Sequence, residues 1–198
     1  VIEYHVMSVP VGPHALLVRH GSTPWSEAGR HTGRTDVPLD DAGEAQARRL
    51  RVRLAGRPYS LVLCSPLQRA VGTAELAGLA GVVVDPDLKE WDYGDFEGRT
   101  TAEIRREYPG WTIWRGPWPG GETIDDVAAR ADRVVARVRA EPPGSTVVLV
   151  AHGHLLRVLA ARWLGAPPVS GRWLALRTAA MSELGWEHET AVIEQWNS

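Results

Sequence analysis

The stretch Ala15-Leu16-Leu17-Val18-Arg19-His20-Gly21-Ser22-Thr23 decides how the chain is read. Four apolar residues in succession read as a strand buried on both faces. They stop at an arginine, a histidine and a glycine. That ending sets a cation and an imidazole at the carboxyl edge of a strand, beside a residue that lets backbone and ligand come close. In open α/β sheets this edge is where ligands bind. Taken alone, the tripeptide reads equally well as a histidine that closes a strand and hydrogen-bonds a loop.

Other segments repeat the design. Residues 59–64 form a short apolar run that leads into Ser65-Pro66, with proline at the first turn of a helix and Arg69 on that turn. Val82-Val83-Val84 is a further strand. Thr146-Val147-Val148-Leu149-Val150-Ala151 is the most apolar run, and it ends in His152-Gly153-His154. Helical spacing appears in Gly43, Ala47, Leu50 and Leu54, behind a capping-box-like start at Asp41 and Glu44. It recurs in Val127, Ala131, Val134 and Val138 behind Thr123 and Asp126, and in Leu155, Leu156, Leu159 and Trp163. Thr100 with Glu103 caps a brief helix. Residues 24–38 read as a long loop over the strand edge, 88–98 as a loop dense in carboxylates and aromatics, and 111–121 as a lid or wall. The tail reads as two strands, 178–184 and 191–196, joined around Gly185. Strands alternating with helices predict an α/β fold, a three-layer α/β/α sandwich with a mostly parallel central sheet. One domain is expected over 1–198, with 1–13 a leader or an expression remnant.

Composition narrows the function. A net charge of −2 gives no global basic field, so no nucleic-acid partner is expected. No apolar run approaches the ~20 residues of a membrane span, so no membrane association is expected either. The single cysteine, Cys64, excludes an internal disulfide and suits a reducing, cytoplasmic setting. No Walker-type loop is present, which argues against nucleoside-triphosphate chemistry. Any anion site must therefore be built from local arginines.

If the sheet is parallel, the ends of three strands face one crevice, where Arg19, His20, Ser65, Arg69 and His152 converge. Guanidiniums, imidazoles and free N–H groups at helix starts describe an anion site. Arginine suits phosphate through its planar fork. Four carboxylates compete for a proton-transfer role on residue physics alone: Glu90, Asp92, Asp95 and Glu97. His152-Gly153-His154 as part of a metal site is the weaker reading, because no carboxylate or cysteine stands at ligand spacing. Arg157 is either a surface cation or a contact to a second phosphate. Trp111, Trp114 and Trp118 are read as lid packing ahead of substrate stacking.

In this order, Arg19-His20-Gly21, Ser65 with Arg69, Glu90, and His152-Gly153 resemble the histidine phosphatase superfamily, in its phosphoglycerate-mutase-like branch. The resemblance runs from Leu16 to the tail. Its finer pattern, with Trp25-Ser26, Trp114-Arg115 and His154 with Arg157, looks most like actinobacterial mutase-like acid phosphatases and the fungal sedoheptulose-bisphosphatase. The resemblance implies that His20 is the nucleophile and becomes a phosphohistidine. It implies that Arg19, Arg69 and His152 hold the phosphoryl oxygens, and that Glu90 is the proton donor. Ser26, Thr32, Gly33, Ser65, Gly153 and Arg157 are the implied phosphate- or substrate-binding positions. Ser26 departs from the pattern: many members carry an asparagine there, and a hydroxyl reaches less far than an amide. The expected activity is hydrolysis of a small phosphorylated metabolite, a sugar phosphate or bisphosphate, with no metal and no cofactor. Phosphoglycerate mutase and a non-catalytic phosphate-binding module are the alternatives. A homodimer through the tail strands is left open.

Overall fold

The computed structural model describes residues 12–198. Its strands are β1 (His14–Arg19), β2 (Leu61–Cys64), β3 (Val82–Val84), β4 (Thr146–Ala151), β5 (Met181–Glu187) and β6 (Thr190–Gln195). They form one sheet in the order β3-β2-β4-β1-β5-β6. The pairings β3–β2, β2–β4 and β4–β1 are parallel, whereas β5 runs antiparallel to both β1 and β6. The helices are α1 (Pro24–Glu27), α2 (Asp41–Leu54), α3 (Gln68–Leu76), α4 (Thr101–Glu107), α5 (Ile124–Arg139) and α6 (Gly153–Trp163).

Alternation along the strands divides the core in two, because successive side chains point to opposite faces. Ala15, Leu17, Leu63, Val147, Leu149 and Ala151 meet the apolar stripes of α5 and α6. Leu16, Val18, Val62, Cys64, Val148 and Val150 meet Leu50 and Leu54 of α2 and Ala70 and Ala74 of α3. The α/β/α sandwich is thus the direct result of strands that are apolar on both faces. Helix α2 buries Gly43, Ala47, Leu50 and Leu54. The buried face of α5 includes Val127, Ala131, Val134 and Val138. Thr100 and Thr123 close capping boxes with Glu103 and Asp126.

Several boundaries differ from expectation for local reasons. Asp40, not Asp41, caps α2, since its carboxylate is the one that accepts the Gly43 N–H. The expected loop 24–38 opens with the short helix α1, because Thr23 and Ser26 close a capping box around Pro24. The tail hairpin turns at His188 and Glu189, and Gly185 lies inside β5. The segment 178–180 precedes that strand. Residues 1–11 of the expected leader lie outside the described residues. Gly12 and Pro13 belong to the packed fold: both are buried, and the Trp186 indole donates to the Pro13 carbonyl.

Burial sets the scale of mutational cost. Leu17→Ala, in the centre of the sheet and wholly buried, is expected to lose about 2–5 kcal/mol in urea unfolding. Val83→Thr, on the exposed edge strand, should stay within about 0.5 kcal/mol of the parent.

Candidate active site

Because β2, β4 and β1 are parallel neighbours, their carboxyl ends deliver Ser65, His152 and the Arg19-His20 pair side by side. The ladder runs one residue past the strands. His20 N–H donates to Ala151 O at 3.0 Å, and Ser65 N–H to Val150 O at 3.0 Å. The side chains are therefore set by sheet geometry before any of them touches another.

The His20 ring lies 2.7 Å from the Gly21 carbonyl through Nδ1. A carbonyl can only accept, so Nδ1 carries the proton and Nε2 of the neutral ring holds a lone pair. Burial first, and then the Arg19 and Arg69 charges, push the imidazole well below its ordinary pKa. His152 stands with its ring centroid 5.1 Å from that of His20. Its Nδ1 accepts from Arg69 Nε at 3.2 Å, which leaves the proton on Nε2, 2.7 Å from Ser65 Oγ. Burial followed by the Arg69 charge also holds His152 well below the usual range.

Arg69 is fully buried. Its Nη1 donates to Thr35 O at 3.0 Å, and its Nη2 to Thr32 O at 3.1 Å and Gly33 O at 2.9 Å. The loop is held in turn by Glu97, which accepts from the N–H groups of Arg34 and Thr35. Gly33 must be glycine, since a Cβ there would run into the Glu97 carboxylate and the Trp91 carbonyl. In this arrangement neither Arg69 nor His152 lines the pocket, and their polar atoms are engaged with protein groups. Either one would have to give up such a bond to take a phosphoryl oxygen.

Arg19 differs. Its Nη1 donates to Leu176 O at 2.5 Å, while Nε is the one buried side-chain polar atom without a partner among the described residues. Gly153 makes room for it, because a Cβ at that position would lie 3.1 Å from the guanidinium carbon.

Glu90 is buried, and it separates from its three competitors. Its Oε1 accepts from the N–H groups of Trp91 and Leu155, and its Oε2 from His154 N–H at 3.0 Å. Asp92 pairs with Arg34 at 3.3 Å, Glu97 holds the 34–35 backbone, and neither they nor Asp95 lines the pocket. The helix starts are free only in part. Glu90 takes the N–H groups of His154 and Leu155 in the first turn of α6, and Gln68 N–H of α3 donates to Asp36, whereas the N–H of Gly153, a pocket-lining residue, has no partner among the described residues.

A pocket of about 190 Å³ opens over this group. Of the predicted positions, Arg19, His20, Ser26, Thr32, Glu90, Gly153 and Arg157 line it. Ser26 brings little free capacity: its hydroxyl donates to Thr23 O and accepts from Thr23 N–H. Arg157 Nε and Nη2 donate to Gly171 O and Arg172 O, and its guanidinium lies 4.7 Å from the Trp114 ring centre. Arg115 is exposed and outside the pocket. Trp114 and Trp118 pack on Trp91, each 6.0 Å away between centroids, which is wall packing. Arg30, His31, Tyr93 and Leu176 also line the pocket. Arg30 and His31 belong to the loop 29–34, which the sequence offers as a holder of a second phosphate or a carboxylate, whereas Tyr93, three residues after Glu90, and Leu176 were missed as site residues. Among the described residues, no three His, Cys, Asp or Glu side chains gather as a metal site. No helix among them is long and apolar enough to cross a membrane.

Comparison with known proteins extends this geometry. A sequence model described as "Histidine phosphatase superfamily (branch 1)" matches residues 15–198. An acid phosphatase of Mycobacterium tuberculosis is 43% identical over 176 residues, covering 87% of this chain and 86% of that protein. A sedoheptulose 1,7-bisphosphatase of Saccharomyces cerevisiae is 37% identical over 185 residues, covering 77% and 68% respectively. The solved structure of an open reading frame of Mycobacterium tuberculosis superposes with a TM-score of 0.89 at 39% identity. That match covers 93% of this chain and 96% of the other.

The buried and half-buried imidazoles couple stability to pH. His20, His31, His152 and His154 all have lowered pKa values, mainly through burial, and His31 falls to about 4. Below about pH 6.5 the unfolded chain binds protons at these positions, and the folded chain does not. Stability therefore holds above that pH and falls as acid is added, for His31 down to about pH 4. The melting temperature is expected to drop steadily from pH 7 to pH 5; a flat profile would contradict neutral burial.

Proposed function

The chain belongs to the histidine phosphatase superfamily, and on that premise we propose that it hydrolyses phosphomonoesters through a phosphohistidine on His20. One observation carries the reading: His20 is held neutral with its Nδ1 bonded to Gly21 O, in a pocket shared with Arg19, whose guanidinium keeps an unpartnered donor. A neutral imidazole is the nucleophilic form, and the neighbouring cations stabilise charge on the phosphoryl group in flight.

In the first step His20 Nε2 forms a bond to phosphorus as the ester P–O bond breaks. The leaving alcohol oxygen takes a proton from Glu90. In the second step water attacks the phosphohistidine, gives its proton back to Glu90, and inorganic phosphate leaves with the imidazole restored. Arg19 grips the phosphoryl oxygens. Arg69 and His152 keep the cup in shape and supply positive charge and a polar N–H behind it, and Ser65 orients His152. Gly153 allows the approach of Arg19, and the Thr32-Gly33 backbone is fixed by Arg69. Phosphate release, as opposed to transfer, is in keeping with the acid phosphatase relative. The substrate class we propose is a small sugar phosphate or bisphosphate, in keeping with the sedoheptulose 1,7-bisphosphatase relative. Arg157, which also lines the pocket, is the residue assigned here to a second anionic group.

His20→Ala should lower phosphate release from p-nitrophenyl phosphate by at least about 10³-fold with an unchanged far-UV circular dichroism spectrum. Retained turnover would remove His20 as nucleophile. Glu90→Gln should slow an alkyl phosphate by about 10²-fold or more, and p-nitrophenyl phosphate far less, since nitrophenolate leaves without a proton. Equal slowing would move the proton donor elsewhere.

A further inference from the structure

Three pocket residues take no part in the phosphoryl chemistry, namely His31, Tyr93 and His154. They come from the loop after α1, the loop after β3, and the first turn of α6, and they form one cluster. Tyr93 OH lies 2.6 Å from His154 Nδ1. The His31 ring is 4.8 Å from Tyr93 and 6.3 Å from His154 between centroids, and its Nε2 lies 3.2 Å from Thr101 Oγ1. Each imidazole thus has one nitrogen tied to the protein. The others, His154 Nε2 and His31 Nδ1, make no hydrogen bond among the described residues. They are not sealed in the interior either, because Arg19 Nε is the one buried polar atom left unpartnered there.

Resting on the phosphatase reading above, we propose that His31 and His154 recognise hydroxyl groups of the leaving alcohol, with Tyr93 as the positioning residue that sets the His154 ring. The phenol of Tyr93 is buried and close to Glu90, and both effects keep its proton in place. As a neutral hydroxyl, Tyr93 OH pairs with His154 Nδ1 and leaves Nε2 as the ring nitrogen that can meet a hydroxyl in the pocket, as donor or as acceptor. Neutral rings suit hydroxyls better than anions. Each offers a single directed donor or acceptor, whereas an anion calls for the charged forks of Arg19 and Arg157. The cluster also lies next to the reaction: the residue that carries this ring gives its backbone N–H to Glu90 Oε2 at 3.0 Å. A hydroxyl held by His154 therefore fixes the ester close to the proposed proton donor.

Two esters with the same three-carbon skeleton test this, glycerol 3-phosphate with two free hydroxyls and propyl phosphate with none. The readout is the ratio of their kcat/KM values. A site built to hydrogen-bond a hydroxyl rejects the analogue that lacks it, so the parent enzyme should favour glycerol 3-phosphate by about tenfold or more. Tyr93→Phe and, independently, His31→Leu should each lower that ratio by about fivefold to tenfold. A general disturbance of the fold lowers both values together and leaves the ratio intact, so an unchanged ratio in both variants would overturn the proposal. A parent ratio near one would also overturn it, as would turnover of p-nitrophenyl phosphate but of neither alkyl ester, and the phosphatase reading would survive both. Failure on p-nitrophenyl phosphate itself would remove both readings.

Discussion

Arg69 carries a full positive charge in the interior, and its bonds go to neutral acceptors: three loop carbonyls and an imidazole. A buried guanidinium is tolerable only when its donors are satisfied, so the loop at 32–35, helix α3 and the residue after β4 are obliged to meet at one point. Losing any of these acceptors would leave an exposed demand inside the protein. No carboxylate sits among these bonds, so the charge is not paired off directly. It remains felt at His20 and His152, where it helps hold both rings neutral.

The site is accordingly a place where stability and chemistry pull in opposite directions. Imidazoles buried beside guanidiniums are expensive to protonate, and that same resistance is what preserves a lone pair on His20 in mild acid. The surrounding α/β/α core supplies the margin. Leu17, Leu149 and Leu63 are wholly buried on one face of the sheet, with Val18, Val148 and Val150 on the other. Apolar strands of this kind fix the register of β2, β4 and β1, and register alone decides that the three strand ends align.

Much of this was legible in the sequence, and the reasons are specific. The apolar runs ending in Arg19-His20 and in His152 announced parallel strands with polar ends. The pairs Thr100/Glu103 and Thr123/Asp126 announced helix starts through side-chain chemistry that acts over three residues. What escaped notice acts over longer range or through the backbone. Asp40 and Asp41 are equivalent as letters, and only the path of the chain decides which one caps α2. Gly185 looked like a turn, yet it lies in β5, where a Cβ would collide with Glu194 and His14. Besides His152, the partners of Arg69 are carbonyl oxygens, which every residue possesses, so no residue type could flag them. Tyr93 and His154 meet across 61 residues, and nothing local in either segment points to the other.

Glu90 sits on the opening turn of α6, where its two oxygens accept the N–H groups of His154 and Leu155. Helix starts often serve proteins as ready-made receptors for phosphate. Here two of that receptor's N–H groups are already engaged from within by the chain's own carboxylate, and only that of Gly153 is left over. An incoming anion depends chiefly on side chains, and the flat, two-pronged shape of arginine suits that task. Exchanging Arg19 for a lysine would keep the charge and lose the grip.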